Sequence, residues 1–269
     1  KSSDVIALYH DSDPDGTCSG VIMAKAIEQL LKKKVDFHVG RKKGEHYVSS
    51  EMADFFMSKK VTALITLDIS ADEKPEGLLQ VQKFADVLVS DHHKLYNNLN
   101  ETSKVLLVKP QLLYSPVDPQ LYCTSKFVFD LMSRHASLKD FDWIASVGII
   151  ADVASKMWPE FLTAVFKKYE IPLVKDFFKS RLGKVAHLIS SAEVYDEKNV
   201  DLCFDILSKS VHPKNVLNSE LRRFAKFIED EIHKLVKNSK SHAEWHFGEE
   251  LMFYEIKPKY AVTSPLSTI

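Results

Sequence analysis

The sequence predicts an α/β fold: a mainly parallel, Rossmann-like sheet of about five strands with helices on both faces, then a helical subregion and a long late helix. Three observations carry that expectation. Short apolar runs rich in Val, Ile and Leu alternate with helical spacing as far as Pro110, which is the pattern of strand-helix-strand units. Successive runs end in Asp or His, and open α/β sheets keep their sites at the carboxyl ends of strands. Beyond Pro110 the alternation stops and helical spacing continues alone.

The first run, VIALY at 5–9, reads as a buried strand and leads into YHDSDPDGTCSG at 9–20. There Asp11, Asp13 and Asp15 stand at every second position, followed at once by Gly16. Carboxylates this close repel unless a cation neutralises them or some are protonated. Two readings stand at this point, a cation site and an exposed Asp/Pro/Gly turn. Residues 16–20, Ser19 among them, open a helix at 21–31 whose first amides could hold a phosphate. An alternating strand at 35–39 precedes the basic turn Arg41, Lys42, Lys43, read as a solvated turn with a phosphate-tracking edge as the alternative. The clearest buried strand, 61–67, runs straight into Asp68. A helix at 75–84 delivers the strand 86–90, which ends in Asp91-His92-His93-Lys94, and one more strand follows at 104–108. Residues 110–122, with Pro110, Pro116 and Pro119, form an irregular connection.

Helical spacing then marks 124–134 and 143–154, the latter containing GIIAD at 148–152. An aspartate in such an apolar helix is expensive to bury unless paired or bound to metal. Its alternative is a helix-end carboxylate facing water. Further helices are expected at 160–169, 172–181, 184–190 and 200–208. The longest, 219–238, carries Leu221, Phe224, Ile228, Ile232 and Leu235 at steps of three and four, one buried face. Aromatic alternation follows at 242–255. The expected organisation is a catalytic domain at 1–195, a helical linker region at 196–240, and the start or remnant of a C-terminal domain at 241–269.

Composition narrows the function classes. The formal net charge of −1 in 269 residues means that any nucleic-acid contact must use a local groove. Cys18, Cys123 and Cys203 have neither metal-type nor disulfide-type spacing, which suits a reducing, cytoplasmic setting. No apolar run approaches the roughly 20 residues of a membrane span, so no membrane partner is expected. The first residues, beginning at Lys1, show no signal-peptide pattern.

Taken in order, Asp13 and Asp15 in a DxDG turn, Asp68 at a strand end, Asp91-His92-His93 followed by Lys94, and GIIAD ending in Asp152 resemble the four signature motifs of the DHH phosphoesterase superfamily. The opening YHDSDPDG is most similar to RecJ-type nucleases, archaeal ones included. The resemblance implies that Asp13, Asp15, Asp68, His92 and Asp152 hold two divalent cations, with Asp68 as the bridge. It implies a further ligand or a water-orienting group at Asp11, and a phosphate-facing polariser or proton donor at His93. Family members often carry a His just before the first aspartate; His10 stands there, and on an alternating strand it is expected to point away from the site. The family's glycine- and histidine-rich C-terminal motif has no counterpart among this chain's eight glycines.

The chemistry follows from the donor set. Oxygen ligands with one or two imidazoles and no thiolate favour Mn2+ or Mg2+, with iron, cobalt and zinc as alternatives; of these Mn2+ is the expected preference. Such a set suits hydrolysis of phosphodiesters or phosphoanhydrides. The first expectation is an exonuclease on single-stranded DNA or RNA, with Arg41, Lys42, Lys43 and Lys94 as candidate backbone contacts and replication or repair proteins as partners. The second is a small-substrate phosphoesterase for very short oligonucleotides, cyclic dinucleotides or polyphosphate. The third, from another class, is an inactive replication scaffold, which is disfavoured because all five matched metal positions keep Asp or His.

Overall fold

The computed structural model describes residues 4–42, 44–113, 117–246 and 251–263. Its first half runs β1 (Ile6–His10), α1 (Pro14–Leu31), β2 (Phe37–Gly40), α2 (Ser50–Ser58), β3 (Ala63–Leu67), α3 (Glu76–Val81), β4 (Asp86–Ser90), α4 (Leu99–Thr102) and β5 (Leu106–Val108). The strands form one sheet in the order β2-β1-β3-β4-β5, every pair parallel. The expected fold class is the one observed. Then come α5 (Thr124–Met132), α6 (Asp142–Ala151), α7 (Pro159–Lys168), α8 (Arg181–Tyr195), α9 (Asn199–Lys209), α10 (Pro213–Leu217) and α11 (Leu221–His242). A short antiparallel pair, β6 (Glu244–His246) and β7 (Leu251–Phe253), follows.

Strand periodicity decides which residues meet which layer. Ile6 and Leu8 of β1 face the large core shared with α1, α5, α6, α8 and α9. Ala7 and Tyr9 face the opposite core, where Phe56 of α2 and Leu78 of α3 pack. His10 therefore lies on the side of Ile6 and Leu8, stacked 5.5 Å from the ring of Phe204 in α9. The sheet is buried on both faces, and all its strands point their carboxyl ends the same way.

Several boundaries differ from the expectation, each for a local reason. Helix α1 begins at Pro14 rather than 21, because Asp13 caps it by accepting from the Gly16 amide at 2.8 Å and Pro14 fits the first helical turn. Helix α2 is additional to the expected elements; Ser49 caps it by accepting from the Met52 amide. The helix expected at 172–181 is only a 3-10 turn at Phe177–Lys179. Asp176 closes that turn, and Ser180 caps α8 instead, accepting from Gly183 at 3.0 Å. Helix α9 packs on α1 and β2, and α11 lies against α8. No helix among the described residues is long and apolar enough to cross a membrane.

The second core has a clear keystone. Phe56 is fully buried and meets Tyr9 edge-on at 6.0 Å between centroids. Phe56→Ala is expected to lower stability by about 3–5 kcal/mol, measured as a shift in the urea midpoint with unchanged slope.

Candidate metal centre

The centre is assembled at the carboxyl ends of β1, β3 and β4. Gly16 is required where α1 turns back on the strand, since a Cβ there would lie 2.4 Å from Asp11 Cβ and 2.5 Å from the Asp11 carbonyl oxygen. Asp15, in the first turn of α1, is held from across the fold: its Oδ2 accepts from the Thr124 amide at 2.7 Å and its Oδ1 from the Ser125 amide at 3.1 Å. These are the first amides of α5, so a helix amino terminus faces the carboxylate. Gly148 of α6 completes the cradle. A Cβ at that position would come within 2.5 Å of Asp15 Oδ1 and 2.0 Å of Ser125 Oγ.

Asp68 follows β3 with φ at 62°, left-handed backbone that a non-glycine residue adopts at a cost of order 1 kcal/mol. The turn directs its side chain to the strand ends, where Oδ1 accepts from Thr124 Oγ1 at 2.8 Å. His92 brings Nε2 to 3.5 Å from Asp68 Oδ1 and 3.8 Å from Asp152 Oδ2. Asp152 is the residue that closes α6, so its carboxylate stands at the helix end but turns toward His92 rather than wholly to water.

Three overlapping sets of donor atoms result, each within 4.8 Å of one another: Asp11, Asp13 and Asp68; Asp15, His92 and Asp152; and Asp68, His92 and His93. Asp68 belongs to two of them, as a bridging ligand would. The donor chemistry fits divalent cations, and one buried acceptor, Asp152 Oδ2, makes no hydrogen bond among the described residues.

Without a cation the carboxylates cannot all ionise comfortably. Burial first, then the charges of Asp11 and Asp15, pushes Asp13 well above the ordinary carboxylate range. Burial and the charges of Asp15 and Asp13 do the same to Asp68. Asp152 is raised to about 8 by burial and by Asp15.

Beneath this layer lies a group that sequence reading misses. Lys109, fully buried, places Nζ 2.6 Å from Asp72 Oδ1 and 2.8 Å from Asp91 Oδ2. It also donates to the Lys94 carbonyl at 2.9 Å. Asp72 in turn accepts from the amides of Tyr96 and Asn97. The loop after β4 is thus pinned from below. Asp91, the first residue of the triplet, supports rather than lines the centre, its Oδ1 lying 2.7 Å from His93 Nδ1. Burial opposes its ionisation, yet the His93 hydrogen bond and the Lys109 charge hold its pKa below the ordinary value. Burial also works against a cationic His93, but Asp91 outweighs it and raises the pKa.

Other expected residues fall differently. Arg41 is not in a solvated turn: its Nε lies 2.8 Å from Asp11 Oδ1 and its side chain is only 14% exposed. Asp11 is therefore ion-paired as well as close to Asp13 and Asp68. Lys42 lies beside a separate recess with Glu45, and Lys43 is outside the described residues. Ser19 does not face a phosphate site, since it is fully buried and donates to the Gly16 carbonyl within α1. Lys94 is exposed at the rim, over the ring of Tyr96. His10 points away as expected; its Nδ1 sits 2.7 Å from the Asp11 carbonyl, and burial lowers its pKa to about 4. An open cleft of about 440 Å³ gives access to Asp11, Asp13, Asp68 and His93, with Arg41, His46, Glu73 and Tyr96 on its walls.

Fold and site together define an open, parallel α/β protein with a carboxylate-imidazole cation centre at its strand ends. The DHH family, N-terminal domain, matches residues 5–151, and the chain belongs to that family. Among solved structures, the chain is similar to a manganese-bound exonuclease RecJ, at 17% identity and a TM-score of 0.65, covering 88% of this chain and 65% of that one. A DHH domain described as coming from a member of a family of ribosomal proteins superposes at 14% identity and a TM-score of 0.66, over 90% and 60% of the two chains. RecJ from Thermus thermophilus in complex with Mn2+ does so at 17% identity and 0.61, over 87% and 36%. The chain thus spans less than two thirds of the length of each. No curated protein matches the sequence.

Lys109→Met leaves Asp72 and Asp91 buried without their counter-charge, and is expected to cost about 3–5 kcal/mol in urea unfolding; a loss under about 1 kcal/mol would contradict the support assigned to it. A second outcome concerns pH. Asp152 contributes stability that is present below about pH 4 and lost as pH climbs through about 8, and Asp13 and Asp68, raised in the same direction, act in the same sense. His10 acts in the opposite sense, but only below its unfolded value of about 6.5. Above that value, metal-free protein is expected to lose thermal stability up to about pH 8, and Mn2+ to raise the melting temperature more at the higher pH. Melts in EDTA and in manganese at both pH values check this; a manganese shift that ignores pH would count against carboxylate ligation.

Proposed function

We propose that this chain is a divalent-cation-dependent phosphodiester hydrolase that acts as an exonuclease on single-stranded DNA or RNA. The observation that carries the reading is the convergence of Asp13, Asp15, Asp68, His92 and Asp152, with Asp11 and His93, into three donor sets, two of which contain Asp68, beside an open cleft. Family membership supports it. Asp11 and Asp13 with Asp68 would hold one cation, and Asp15, His92 and Asp152 the other, with Mn2+ preferred. When bound, the ions supply charge that polarises a phosphoryl group and lowers the pKa of water.

The remaining groups have roles of their own. His93 is anchored through Nδ1 by Asp91 and is half-exposed to the cleft, so its other nitrogen can offer a proton to a phosphate or departing oxygen. Asp91 fixes its tautomer and orientation and favours its cation. Arg41, locked to Asp11, orients that carboxylate and presents its guanidinium on the cleft wall, where a phosphate would meet it. A small-substrate phosphoesterase is the second reading, supported by the modest size of the cleft and by a net charge near zero.

The test is hydrolysis, in manganese, of an oligonucleotide labelled at one end or the other, beside a dinucleotide and a cyclic dinucleotide. Asp68→Asn is the control, because asparagine tolerates the left-handed backbone while removing the charge. Progressive shortening of the long strand, reduced at least about 100-fold in the variant, is expected. Cleavage of the short substrates alone would select the second reading, and inactivity on all of them would sink both.

A further inference from the structure

We propose that a basic notch between α8 and α11, remote from the cation centre, binds the phosphate backbone of a single-stranded polynucleotide whose end lies at that centre. This deepens the exonuclease reading and rests on it. The notch encloses about 800 Å³, and its charged lining is Lys184, Arg222, Arg223 and Lys226 against the single carboxylate of Glu229. A chain with a net charge of −1 thus gathers four cations around one hollow. Glu229 is occupied by His187, its Oε1 lying 2.9 Å from His187 Nε2, a contact that ties α11 to α8. Arg223 pairs with Glu220 at 3.2 Å. Lys184, Arg222 and Lys226 are exposed, and none of them is ion-paired among the described residues.

Exposed basic side chains are common and by themselves indicate little. What gives these a direction is the adjoining cavity. A second hollow of about 540 Å³ begins at His187, which lines both, and runs past Ser190 and Glu193 to Asp13 of the cation centre. Its α8 wall includes Gly183 and Ala186, side chains too small to obstruct a strand. Glu193 marks the inner end, where its Oε1 accepts from Ser12 Oγ at 2.7 Å. Lys184 stands nine residues earlier on the same helix, about 14 Å along the axis, or about four nucleotides at stacked spacing. The trough itself carries carboxylates, Asp13 and Glu193, so the charge argument lies at its two ends: four cations in the notch and a cation centre beyond Asp13, which fit a phosphodiester strand with its end at the centre better than an acidic protein surface.

The length of that route supplies the test. Binding of dye-labelled oligodeoxythymidylates of about twelve and about three nucleotides is measured by anisotropy in EDTA, apart from hydrolysis, across a salt series. The Lys184→Gln, Arg222→Gln, Lys226→Gln triple variant is compared with wild type and with Lys83→Gln, Lys104→Gln, which removes exposed lysines elsewhere. Circular dichroism checks that each folds. The triple variant is expected to bind the long strand at least about tenfold more weakly, and to lose about 2 from the slope of log affinity against log salt. The short strand, which has too few phosphates to meet all three cations, is expected to show a smaller loss in both affinity and slope. Equal affinity of wild type and triple variant for the long strand would overturn the notch. So would notch-dependent binding of a polyglutamate of equal charge as tight as that of the strand. Notch-dependent binding by a protein that hydrolyses nothing would instead sink the exonuclease reading and leave the notch standing.

Discussion

Five carboxylates, Asp11, Asp13, Asp15, Asp68 and Asp152, gather at the end of one parallel sheet, and the rest of the structure is arranged around their mutual repulsion. A parallel sheet makes the gathering unavoidable, because every strand delivers the residue after it to the same edge. The local remedies are unequal. Asp15 faces the amino terminus of α5 and receives two of its amides, and Asp11 has Arg41. Among the described residues, Asp68 and Asp13 accept hydrogen bonds from neutral groups, Thr124 Oγ1 and the Gly16 amide, and burial followed by the neighbouring carboxylates raises the pKa of both. The unsatisfied charge is concentrated at the position shared between two donor sets.

Apart from Arg41 on Asp11, the buried cation the protein supplies is set back from that position. Lys109 lies beneath the triplet loop and neutralises Asp91 and Asp72, neither of which lines the cleft. Had a lysine of that reach stood beside Asp68, it would fill the place of a bridging ion and satisfy the carboxylates permanently. A buried ion pair is seldom a net source of stability, but one that fixes a geometry has a use. Here the loop it holds carries both histidines, through Asp91 to the His93 ring and through the Lys94 carbonyl to the backbone. The spacing of His92 from Asp68 and Asp152 then depends on a contact that touches none of them.

Much of this is legible in the sequence, for reasons that can be named. Strands 61–67 and 86–90 are short, β-branched and apolar, and residues just after them, Asp68 and His92, enter the donor sets, so local reading reaches both the element and the candidate ligands. Strand parity alone places His10 correctly. The illegible parts are those in which distant segments decide. Lys109 reads as an ordinary exposed lysine, and only its approach to Asp72 and Asp91 makes it buried. Arg41 sits in a basic run that looks solvated, yet its partner Asp11 lies just past the end of the neighbouring strand. Ser19 looks available only if the helix starts at 21; once Asp13 caps α1, Ser19 lies inside it and turns to Gly16. Helix α2 escapes notice because only Ala53 and Phe56 of its nine residues are buried, although the Ser49 cap is there to be read.

The same division separates what the centre can decide from what it cannot. Cations held by carboxylates and imidazoles at this spacing would meet a phosphoryl group through its charge, a feature common to a strand, a dinucleotide and polyphosphate. The nearest walls add Arg41, His46 and Tyr96, too few groups to measure a substrate's length. Discrimination among phosphate esters must therefore come from surfaces at a distance, where a longer molecule gains contacts that a shorter one cannot reach. Helix α8 is placed to provide that distance, since one of its ends meets Ser12 beside the carboxylates and the other faces the cations of α11. If hydrolysis occurs at the centre and the notch grips the strand, as proposed, a rigid helix sets the interval between the two, and with it the shortest substrate that can use both.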